Sequence, residues 1–331
     1  MAQFRASVIS SLRSFFDRRG YLEVDTPLLA PALIPEAHLE VYATEFLSPT
    51  LSPEDPRRMR YLIPSPEVWM KQLLAAGYGD IYQLSHCFRN HESVGPQHSP
   101  EFTMLEWYTT DASYLDAADT ADELLKAVGR AARTCGDPTS DGGCAHSAGA
   151  ERNLEACLPP AERLTLSDAF ERFCGIGPPD FDDHRAMAQA GRELGLDVRD
   201  GEAPDDVFQR IFIAHVEPAL PRDHPVILLD YPAFVPTLAE PAPDGPFARR
   251  WELYVAGIEV ANCYQEERDL ARLERFLEHA SAAKASALVP HPPERSLLQF
   301  AAAPPCAGVA LGVDRLIMAL TGTKDIREVI F

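Results

Sequence analysis

The stretch from Phe88 to Tyr108, FRNHESVGPQHSPEFTMLEWY, decides the fold, because it reads as two strands joined by a long polar loop. Alternation in its second half, EFTMLEWY, places Phe102, Glu106 and Tyr108 on one face of a strand. The loop spans residues 90–99, and long loops inside compact domains tend to carry function. The stretch therefore predicts a β-hairpin that presents polar side chains at its loop.

The hairpin carries side chains that suit a charged, flat ligand. Arg89 at the base of the loop can clamp a phosphate, and Phe102 can stack on a purine ring. Glu106 beside Tyr108 suits a ligand ammonium group, because the carboxylate supplies charge and the ring supplies a cation–π contact. The alternative for Glu106 is a place on the exposed face of a half-buried sheet.

A second hairpin is predicted in WELYVAGIEVANCYQEERD, residues 251–269, with Ala256-Gly257 as its two-residue turn. In this register Glu252 lies opposite Ala261 and shares a face with Glu259. Two carboxylates beside a phosphate bind Mg²⁺ readily, because this ion prefers oxygen ligands. The alternative is an acidic pair that faces solvent.

The strand after this turn needs an irregularity if its polar residues act together. In a regular strand Asn262, Tyr264 and Glu266 point away from Glu259. A shared site therefore requires a β-bulge or a strand break near Ala261, and we expect one there.

Two helix starts complete the polar pattern. In YLIPSPEVWMKQLL we predict a strand followed by a helix, with Ser65 as its N-cap and Glu67 in its first turn. In GVALGVDRLIMALTG a glycine-punctuated strand that contains Gly312 runs into an amphipathic helix. Arg315 falls in the first turn of that helix, where a helix start already favours anions.

Composition limits the classes of function. The chain has 331 residues and is 46% hydrophobic, which is enough to bury a core without disulfides. A net charge of -20 removes the electrostatic attraction behind most nucleic-acid binding, so tRNA is an unfavoured partner. An odd number of cysteines without a CxxC pair indicates reduced thiols in a cytosol, and the N-terminus lacks the apolar run of an export signal or membrane segment.

Residues 135–163 have little periodicity and many small residues, so we expect a surface insertion or a disordered loop there. Cys135, Cys144, His146 and Cys157 fall in it, but their spacing matches no compact zinc pattern. We therefore interpret them as solvated loop residues. Elsewhere we expect helices over residues 4–19 and 112–132.

Several segments resemble conserved motifs of class II aminoacyl-tRNA synthetases. YLEVDTPLL, FRN with HSPEFTMLEWY, and GVALGVDRL resemble motifs 1, 2 and 3, and PSPEVWMKQLL with GIEVAN resembles the lysyl subgroup. The resemblance covers about residues 4–331 except the insertion. It implies an α+β fold, the class II catalytic domain with an antiparallel sheet flanked by helices. We expect one domain over residues 1–331, dimerised through motif 1.

Within that class the chain resembles the elongation factor P (R)-β-lysine ligase family, a truncated paralogue of lysyl synthetases. Lysyl synthetases carry an anticodon-binding domain before motif 1, whereas this chain starts at the helix that precedes motif 1. Ala310 also resembles the ligase family, because the synthetases usually have glycine there.

The resemblance implies a reaction. The enzyme would use ATP and Mg²⁺ in the cytoplasm to activate (R)-β-lysine or lysine as an acyl adenylate, and then transfer it to a lysine of elongation factor P. One alternative is a stand-alone synthetase-like enzyme that acts on tRNA or a free amine. Another is a catalytically silent paralogue that only binds an amino acid, although retention of Arg89, Arg315 and two acidic metal ligands argues against it.

The resemblance also implies roles for single residues. As catalytic residues, Arg89 contacts the α-phosphate of ATP and Arg315 the γ-phosphate, while Glu252 and Glu259 hold the metal. The full ATP set is Arg89, Asn90, His91, Glu92, His98, Ser99, Phe102, Glu252, Leu253, Gly312 and Arg315. The amino-acid set is Ser65, Glu67, Glu106, Tyr108, Glu259, Asn262, Tyr264 and Glu266.

Three departures from the family pattern affect this site. The motif 2 glutamate is replaced by His91 with Glu92 next to it, and either residue can take the role. Ser99 stands where an asparagine is common. Cys263 replaces a glycine and Tyr264 a phenylalanine, which adds bulk beside the amino-acid residues.

Overall fold

The computed structural model describes residues 1–36, 39–52, 54–90, 95–135, 148–177 and 183–330. The chain divides into two compact units. The first comprises Met1–Ser113, Glu266–Met318 and Thr323–Phe331, and the second comprises Tyr114–Gln265 and Ala319–Gly322. The prediction of one domain over the whole chain stays a prediction.

Helices and strands follow one another along the described chain. Up to the end of the first hairpin they are α1 (Ala2–Arg18), β1 (Leu22–Glu23), β2 (Leu29–Ala30), β3 (Ala43–Glu45), β4 (Met59–Leu62), α2 (Glu67–Ala75), β5 (Ile81–Phe88) and β6 (Glu101–Thr110). The middle of the chain forms α3 (Tyr114–Cys135), α4 (Ala148–Ala156), β7 (Glu162–Thr165), α5 (Leu166–Cys174), α6 (His184–Glu193), α7 (Pro204–Ile211) and β8 (Val226–Pro232). The last elements are β9 (Phe247–Val255), β10 (Ile258–Gln265), α8 (Leu270–Lys284), β11 (Cys306–Gly312) and α9 (Val313–Thr321).

The first unit contains the strands of the quoted hairpin. Its main strands lie in the order β1-β5-β6-β11, with β1 parallel to β5 and the other pairs antiparallel. A small antiparallel sheet, β2-β4-β3, belongs to the same unit. The hairpin register pairs Phe88 with Glu101, so its loop lies between these two residues. The predicted hairpin is therefore confirmed.

Helix α1 packs on this sheet through apolar residues spaced three and four apart. Phe16, for example, stacks on Tyr82 at 4.9 Å and contacts Trp107 at 5.2 Å between ring centroids. The helix ends just before Gly20, whose φ of +78° favours glycine. The prediction of a helix over residues 4–19 is confirmed to within two residues.

The second unit has strands in the order β10-β9-β8-β7, with β7 parallel to β8 and the others antiparallel. Helices α5, α6 and α7 cover an apolar core in which Phe170 stacks on Phe208 at 5.2 Å. The turn at Ala256 and Gly257 has φ values of +52° and +80°, as a two-residue hairpin turn requires. Both units thus combine helices with mainly antiparallel strands, as the predicted α+β class implies.

The start of α2 differs from its prediction. The helix begins at Glu67 and Pro66 occupies the N-cap without a side-chain hydrogen bond, so Ser65 is not the cap. The amide groups of Trp69 and Met70 bond to the carbonyl oxygen of Pro66, which satisfies donors that a serine cap would otherwise take.

The expected loop at residues 135–163 is partly wrong. Its second half forms helix α4, in which Leu154 is buried, and the buried Cys157 follows it. A Cβ on Gly129 of α3 would lie 3.5 Å from the Cβ of Cys157, so α3 packs closely against this segment. The sequence does not predict this helix, because it has few large apolar side chains on its buried face.

Cys157 is buried, so the interpretation of the four cysteine and histidine residues as solvated loop residues is wrong for Cys157. Cys144 and His146 lie outside the described residues. Burial raises the pKa of the Cys157 thiol, which opposes the thiolate form that binds zinc. No three histidine, cysteine, aspartate or glutamate side chains within the described ranges are arranged to hold a metal ion. None of the described helices is both long and apolar enough to span a bilayer.

Candidate active site

The first unit brings five predicted or newly recognised side chains together, and we call them the acidic cluster. Helix α2 supplies a carboxylate and, one turn later, a lysine; β6 supplies a carboxylate and a tyrosine; and a further carboxylate follows β10. The members of the acidic cluster are Glu67, Lys71, Glu106, Tyr108 and Glu266.

Glu106 is the most unusual member, because it is a carboxyl group with only 3% of its surface exposed. Its Oε1 accepts a hydrogen bond from the Tyr108 hydroxyl at 2.6 Å, whereas its buried Oε2 has no hydrogen-bond partner among the described residues. Burial, followed by the charge of Glu67, raises the pKa of Glu106 to about 8. The alternative of an exposed surface glutamate is therefore wrong.

Lys71 holds two other members of the cluster. Its Nζ lies 2.6 Å from Glu67 Oε1 and 2.8 Å from Glu266 Oε2. Burial alone would lower the pKa of Lys71, but Glu266 and Glu67 outweigh it and raise that pKa. Burial raises the pKa of Glu266 to about 7, although Lys71 acts in the opposite direction. Lys71 therefore stays charged between two carboxyl groups.

Strand β11 closes the cluster on one side. Gly308 pairs with Tyr108 and Ala310 pairs with Glu106 across the β6–β11 ladder. A Cβ on Gly308 would overlap the Glu266 carboxylate and lie 2.5 Å from the Tyr108 ring. Glycine is therefore required at position 308, whereas the methyl group of Ala310 lies beside Glu106. Ser65, which lies two residues before the start of α2, is half-buried.

The motif 2 hairpin places an arginine and a phenylalanine together at its open end. The guanidinium carbon of Arg89 lies 5.2 Å from the centre of the Phe102 ring. The backbone N–H of Asn90 donates to the carbonyl oxygen of Glu40 at 2.9 Å, which fixes the backbone just after Arg89. His91 and Glu92 lie outside the described residues, so the choice between them stays open.

The first turn of α9 meets the same hairpin loop. Nη2 of Arg315 lies 2.9 Å from Nε2 of His98, and Nε of Arg315 donates to the Gln97 carbonyl at 3.3 Å. Gly312 ends β11 directly before this helix, and the atoms nearest to a Cβ there would be those of the Arg315 side chain, at 3.7 Å or more. The half-buried Ser99 follows His98. The structure thus joins residues from motifs 2 and 3, as the resemblance implies.

The second unit carries the carboxylates of the second hairpin. The register between β9 and β10 shifts between Glu259 and Ala261, so the expected bulge is confirmed. Because of this shift Glu252 lies opposite Asn262, and the prediction that it opposes Ala261 is wrong by one residue. Glu259 lies opposite Tyr254, which is two residues from Glu252 on β9. Glu252, Glu259 and Asn262 therefore share one face of the hairpin.

An arginine organises the Glu252 end of this face. Nη2 of Arg250 lies 2.6 Å from Glu252 Oε1, and the Tyr254 hydroxyl donates to Oε2 at 2.9 Å. Arg250 is 8% exposed, and its guanidinium carbon lies 4.1 Å from the Tyr231 ring centre and 5.3 Å from that of Tyr264. Glu252 is thus held in one orientation by a charge and a hydroxyl group.

The remaining hairpin residues divide between side-chain and backbone roles. Tyr264 pairs with Arg250 and lies on the same face, whereas Leu253 is buried, so only its backbone is available to a ligand. Cys263 is also buried, on the opposite face from Tyr264. It therefore adds its bulk to the core and not to the polar face.

Sequence reasoning missed three residues that the structure gives a clear place. Lys71 and Arg250 were not singled out, although each lies at helix or strand spacing from a predicted carboxylate, four residues from Glu67 and two from Glu252. Gly308 also carried a signal, because it is the first glycine of the motif 3 strand. The spacing of opposite charges was the sign that was available.

Known proteins resemble this chain over nearly its whole length. The chain matches the family model for class II tRNA synthetases (D, K and N) over residues 1–331. A relative from Hamiltonella defensa subsp. Acyrthosiphon pisum is 37% identical over 98% of this chain and 92% of the relative, and one from Vibrio atlanticus is 36% identical over 98% and 93%. Both are named elongation factor P–(R)-β-lysine ligase.

The chain therefore belongs to the class II tRNA synthetase family, and it is an enzyme of the ligase type. A third relative of the same name, from Pasteurella multocida, is 34% identical over 98% of this chain and 92% of its own length. These three relatives thus carry the same name.

Proposed function

We propose that this chain is an elongation factor P–(R)-β-lysine ligase that uses ATP and forms AMP. The observation that carries the proposal is the acidic cluster. It contains three carboxyl groups, of which Glu106 and Glu266 are buried and Glu67 is half-buried, and Glu106 keeps an oxygen without a hydrogen-bond partner among the described residues. Such a group is costly unless a ligand cation completes it. A diamino acid supplies that cation.

The first step joins the amino acid to the nucleotide. The substrate carboxylate attacks the α-phosphorus of ATP, an acyl adenylate forms, and pyrophosphate leaves. Arg89 would stabilise charge on the α-phosphate while Phe102 stacks on adenine, and Arg315 would bind the γ-phosphate. In the free enzyme His98 and Gln97 hold Arg315, so this arginine is positioned before ATP binds. Orientation and charge thus carry most of this step.

The second step transfers the acyl group. The ε-amine of a lysine on elongation factor P attacks the acyl carbonyl, an amide bond forms, and AMP leaves with the bond electrons. The amine must lose a proton during this attack, and the phosphate oxygen of departing AMP is a suitable acceptor.

Mg²⁺ fits the second hairpin. Glu252 and Glu259 share a face, and paired carboxylates with substrate phosphates are the usual ligands of this ion. Arg250 and Tyr254 orient Glu252 but leave each of its oxygens a further lone pair. When bound, Mg²⁺ would neutralise charge on the ATP phosphates.

We also propose a cytoplasmic homodimer that does not depend on tRNA. The net charge of -20 opposes binding to a polyanion, and filter binding of tRNA at low and high salt tests this directly. Strong binding that weakens steeply with salt would favour the synthetase-like alternative.

The reaction is tested by ATP–pyrophosphate exchange with a panel of amino acids that includes (R)-β-lysine, lysine and single-amine analogues. We expect exchange with (R)-β-lysine above all. Absence of exchange with every amino acid, alongside retained amino-acid binding, would favour a catalytically silent paralogue and contradict the proposal.

A further inference from the structure

Lys71 is a buried cation inside the acidic cluster, which we propose binds the ammonium groups of the substrate. Only 2% of its surface is exposed, and its Nζ lies 5.2 Å from the centre of the Phe300 ring as well as beside two carboxylates. Buried lysines are rare and unfavourable unless they are paired. The proposed reaction gives Lys71 no contact with the reacting atoms.

The charges of the acidic cluster can be counted. Glu67, Glu106 and Glu266 contribute up to three negative charges, and Lys71 cancels one of them. Two negative charges remain when all three carboxyl groups are ionised. A diamino acid brings two ammonium groups and leaves the cluster neutral, whereas a single-amine analogue leaves one buried carboxylate without a counter-ion.

We infer that Lys71 is a positioning residue that serves as the built-in counter-ion of the acidic cluster, and that its single charge sets the number of ligand ammonium groups at two. Lys71 does so by holding Glu67 and Glu266 in place and by neutralising one of the three carboxylates. The inference rests on the proposed function, since it concerns how the same site chooses its amino acid.

The count predicts how binding depends on pH. Below its raised pKa of about 8, Glu106 is protonated in the free enzyme. Two bound ammonium groups favour the ionised form of Glu106, because they supply its counter-charge. The affinity for a diamino acid therefore rises as the pH approaches about 8. Loss of the Lys71 charge raises the pKa values of Glu106 and Glu266 further and moves this rise in affinity to higher pH. The groups that act on Glu106 are Glu67 and Lys71 from α2, Tyr108 from its own strand, Cys87 from β5, and Glu266.

The test compares the full-length wild type with Lys71→Met, Glu266→Gln and the double variant Lys71→Met/Glu266→Gln. Lys71→Met leaves one carboxylate too many for a diamino acid, and Glu266→Gln leaves one too few. The double variant restores the balance of two. A matched control is Lys126→Met, because Lys126 also lies 2.6 Å from a carboxylate four residues earlier, Asp122, but belongs to neither group of site residues.

The readouts are KM for (R)-β-lysine and for ATP in pyrophosphate exchange at about pH 6 to about pH 9, and the melting temperature with and without the amino acid. We expect each single variant to raise KM for the amino acid about tenfold or more with little change for ATP. The double variant should recover about tenfold relative to either single variant, because contacting charges couple strongly. The control should match the wild type.

A purely structural role for Lys71 would lower the melting temperature without moving the pH at which KM falls. The inference is wrong if Lys71→Met keeps the wild-type pH profile, or if the double variant binds no better than Glu266→Gln alone. The comparison of the double variant with Glu266→Gln tests the inference even if Lys71→Met does not fold. The double variant is expected to fold, because a neutral pair commonly replaces a buried ion pair without loss of fold.

Failure of the inference and failure of the proposed function are distinguishable. If no amino acid supports exchange in the wild type, the proposed function fails. If norleucine, which has the length of lysine and one amine, is activated as well as lysine, the ligase reaction stands and the inference on Lys71 is overturned.

Discussion

The binding role proposed for Glu106 comes at the expense of stability. The carboxyl pKa of Glu106 lies above the ordinary value of 4.5, mainly because of burial, so the folded protein binds a proton that the unfolded chain has released. The contribution of this group therefore lowers the free energy of unfolding as the pH rises from about 4 to about 8. The ammonium group of the proposed substrate would offset this loss of stability.

We expect Glu106→Gln to raise the melting temperature of the free enzyme at about pH 9, and to have much less effect at about pH 4, because the amide removes a carboxylate that must be ionised while buried. The same change should raise KM for the diamino acid about tenfold or more, since a charge-assisted hydrogen bond contributes ~1.5–3 kcal/mol. Differential scanning calorimetry at both pH values, with exchange kinetics, checks both effects. A variant that melts below the wild type at about pH 9 would contradict this account.

Gly308 is the second residue at which the cluster is vulnerable. In Gly308→Ala the new methyl group must displace Glu266 or the Tyr108 ring. We expect a higher KM for the amino acid, an unchanged KM for ATP, and a loss of ~1–3 kcal/mol of unfolding free energy from overpacking.

The control for Gly308→Ala is Gly129→Ala, whose Cβ would meet neighbours at 3.5 Å or more inside helix α3. This change should leave kinetics unchanged and keep or slightly raise stability, because alanine favours a helix interior. Equal effects of the two substitutions would argue against a special role for Gly308.

For single residues, the sequence predicted positions correctly where strand alternation was clear. It did not predict which charged side chains are buried. Strand spacing placed Glu106 and Tyr108 on one face, and the hydrogen bond between them confirms it. Lys71 reads in the sequence as half of an ordinary surface pair with Glu67. Only the fold shows that Glu266, from a distant part of the chain, joins the pair and buries it.

Among the elements, the two hairpins were predictable because their turns and alternating strands carry local signals. The bulge in β10 was expected from the need to bring its polar residues to one face, and it is present. The register beyond the bulge was missed by one residue, because a sequence does not say which position takes the extra residue. Helix α4 was missed because its residues are small and because the helix that it packs against, α3, is separate from it in sequence.

The first turn of α9 allows an element-scale test. Arg315→Ala should raise KM for ATP about tenfold to about a hundredfold, since it removes a guanidinium group worth ~1.5–3 kcal/mol on a phosphate. KM for the amino acid should change little, because the acidic cluster does not include Arg315.

Arg327→Ala is the matched control for Arg315→Ala, because Arg327 lies nearby in sequence but is 84% exposed and pairs only with Asp325 among the described side chains. Exchange kinetics at varied ATP check the pair of variants. An unchanged ATP dependence in Arg315→Ala would contradict the role assigned to the motif 3 helix.

On the scale of the whole molecule, the fold class followed from three short motifs. The net charge of -20 and the acidic cluster are consistent with a small cationic substrate and a protein acceptor. The sequence could not reveal the division into two units, because the chain passes from one unit to the other at four places, which are Ser113/Tyr114, Gln265/Glu266, Met318/Ala319 and Gly322/Thr323.

The most direct test of the central claim is the mass of elongation factor P after incubation with the purified enzyme, ATP, Mg²⁺ and (R)-β-lysine. We expect elongation factor P to gain the mass of one lysyl unit on a single lysine side chain, and to gain none when the Glu252→Gln enzyme is used. An elongation factor P of unchanged mass, under conditions in which the wild-type enzyme catalyses pyrophosphate exchange with (R)-β-lysine, would contradict the claim.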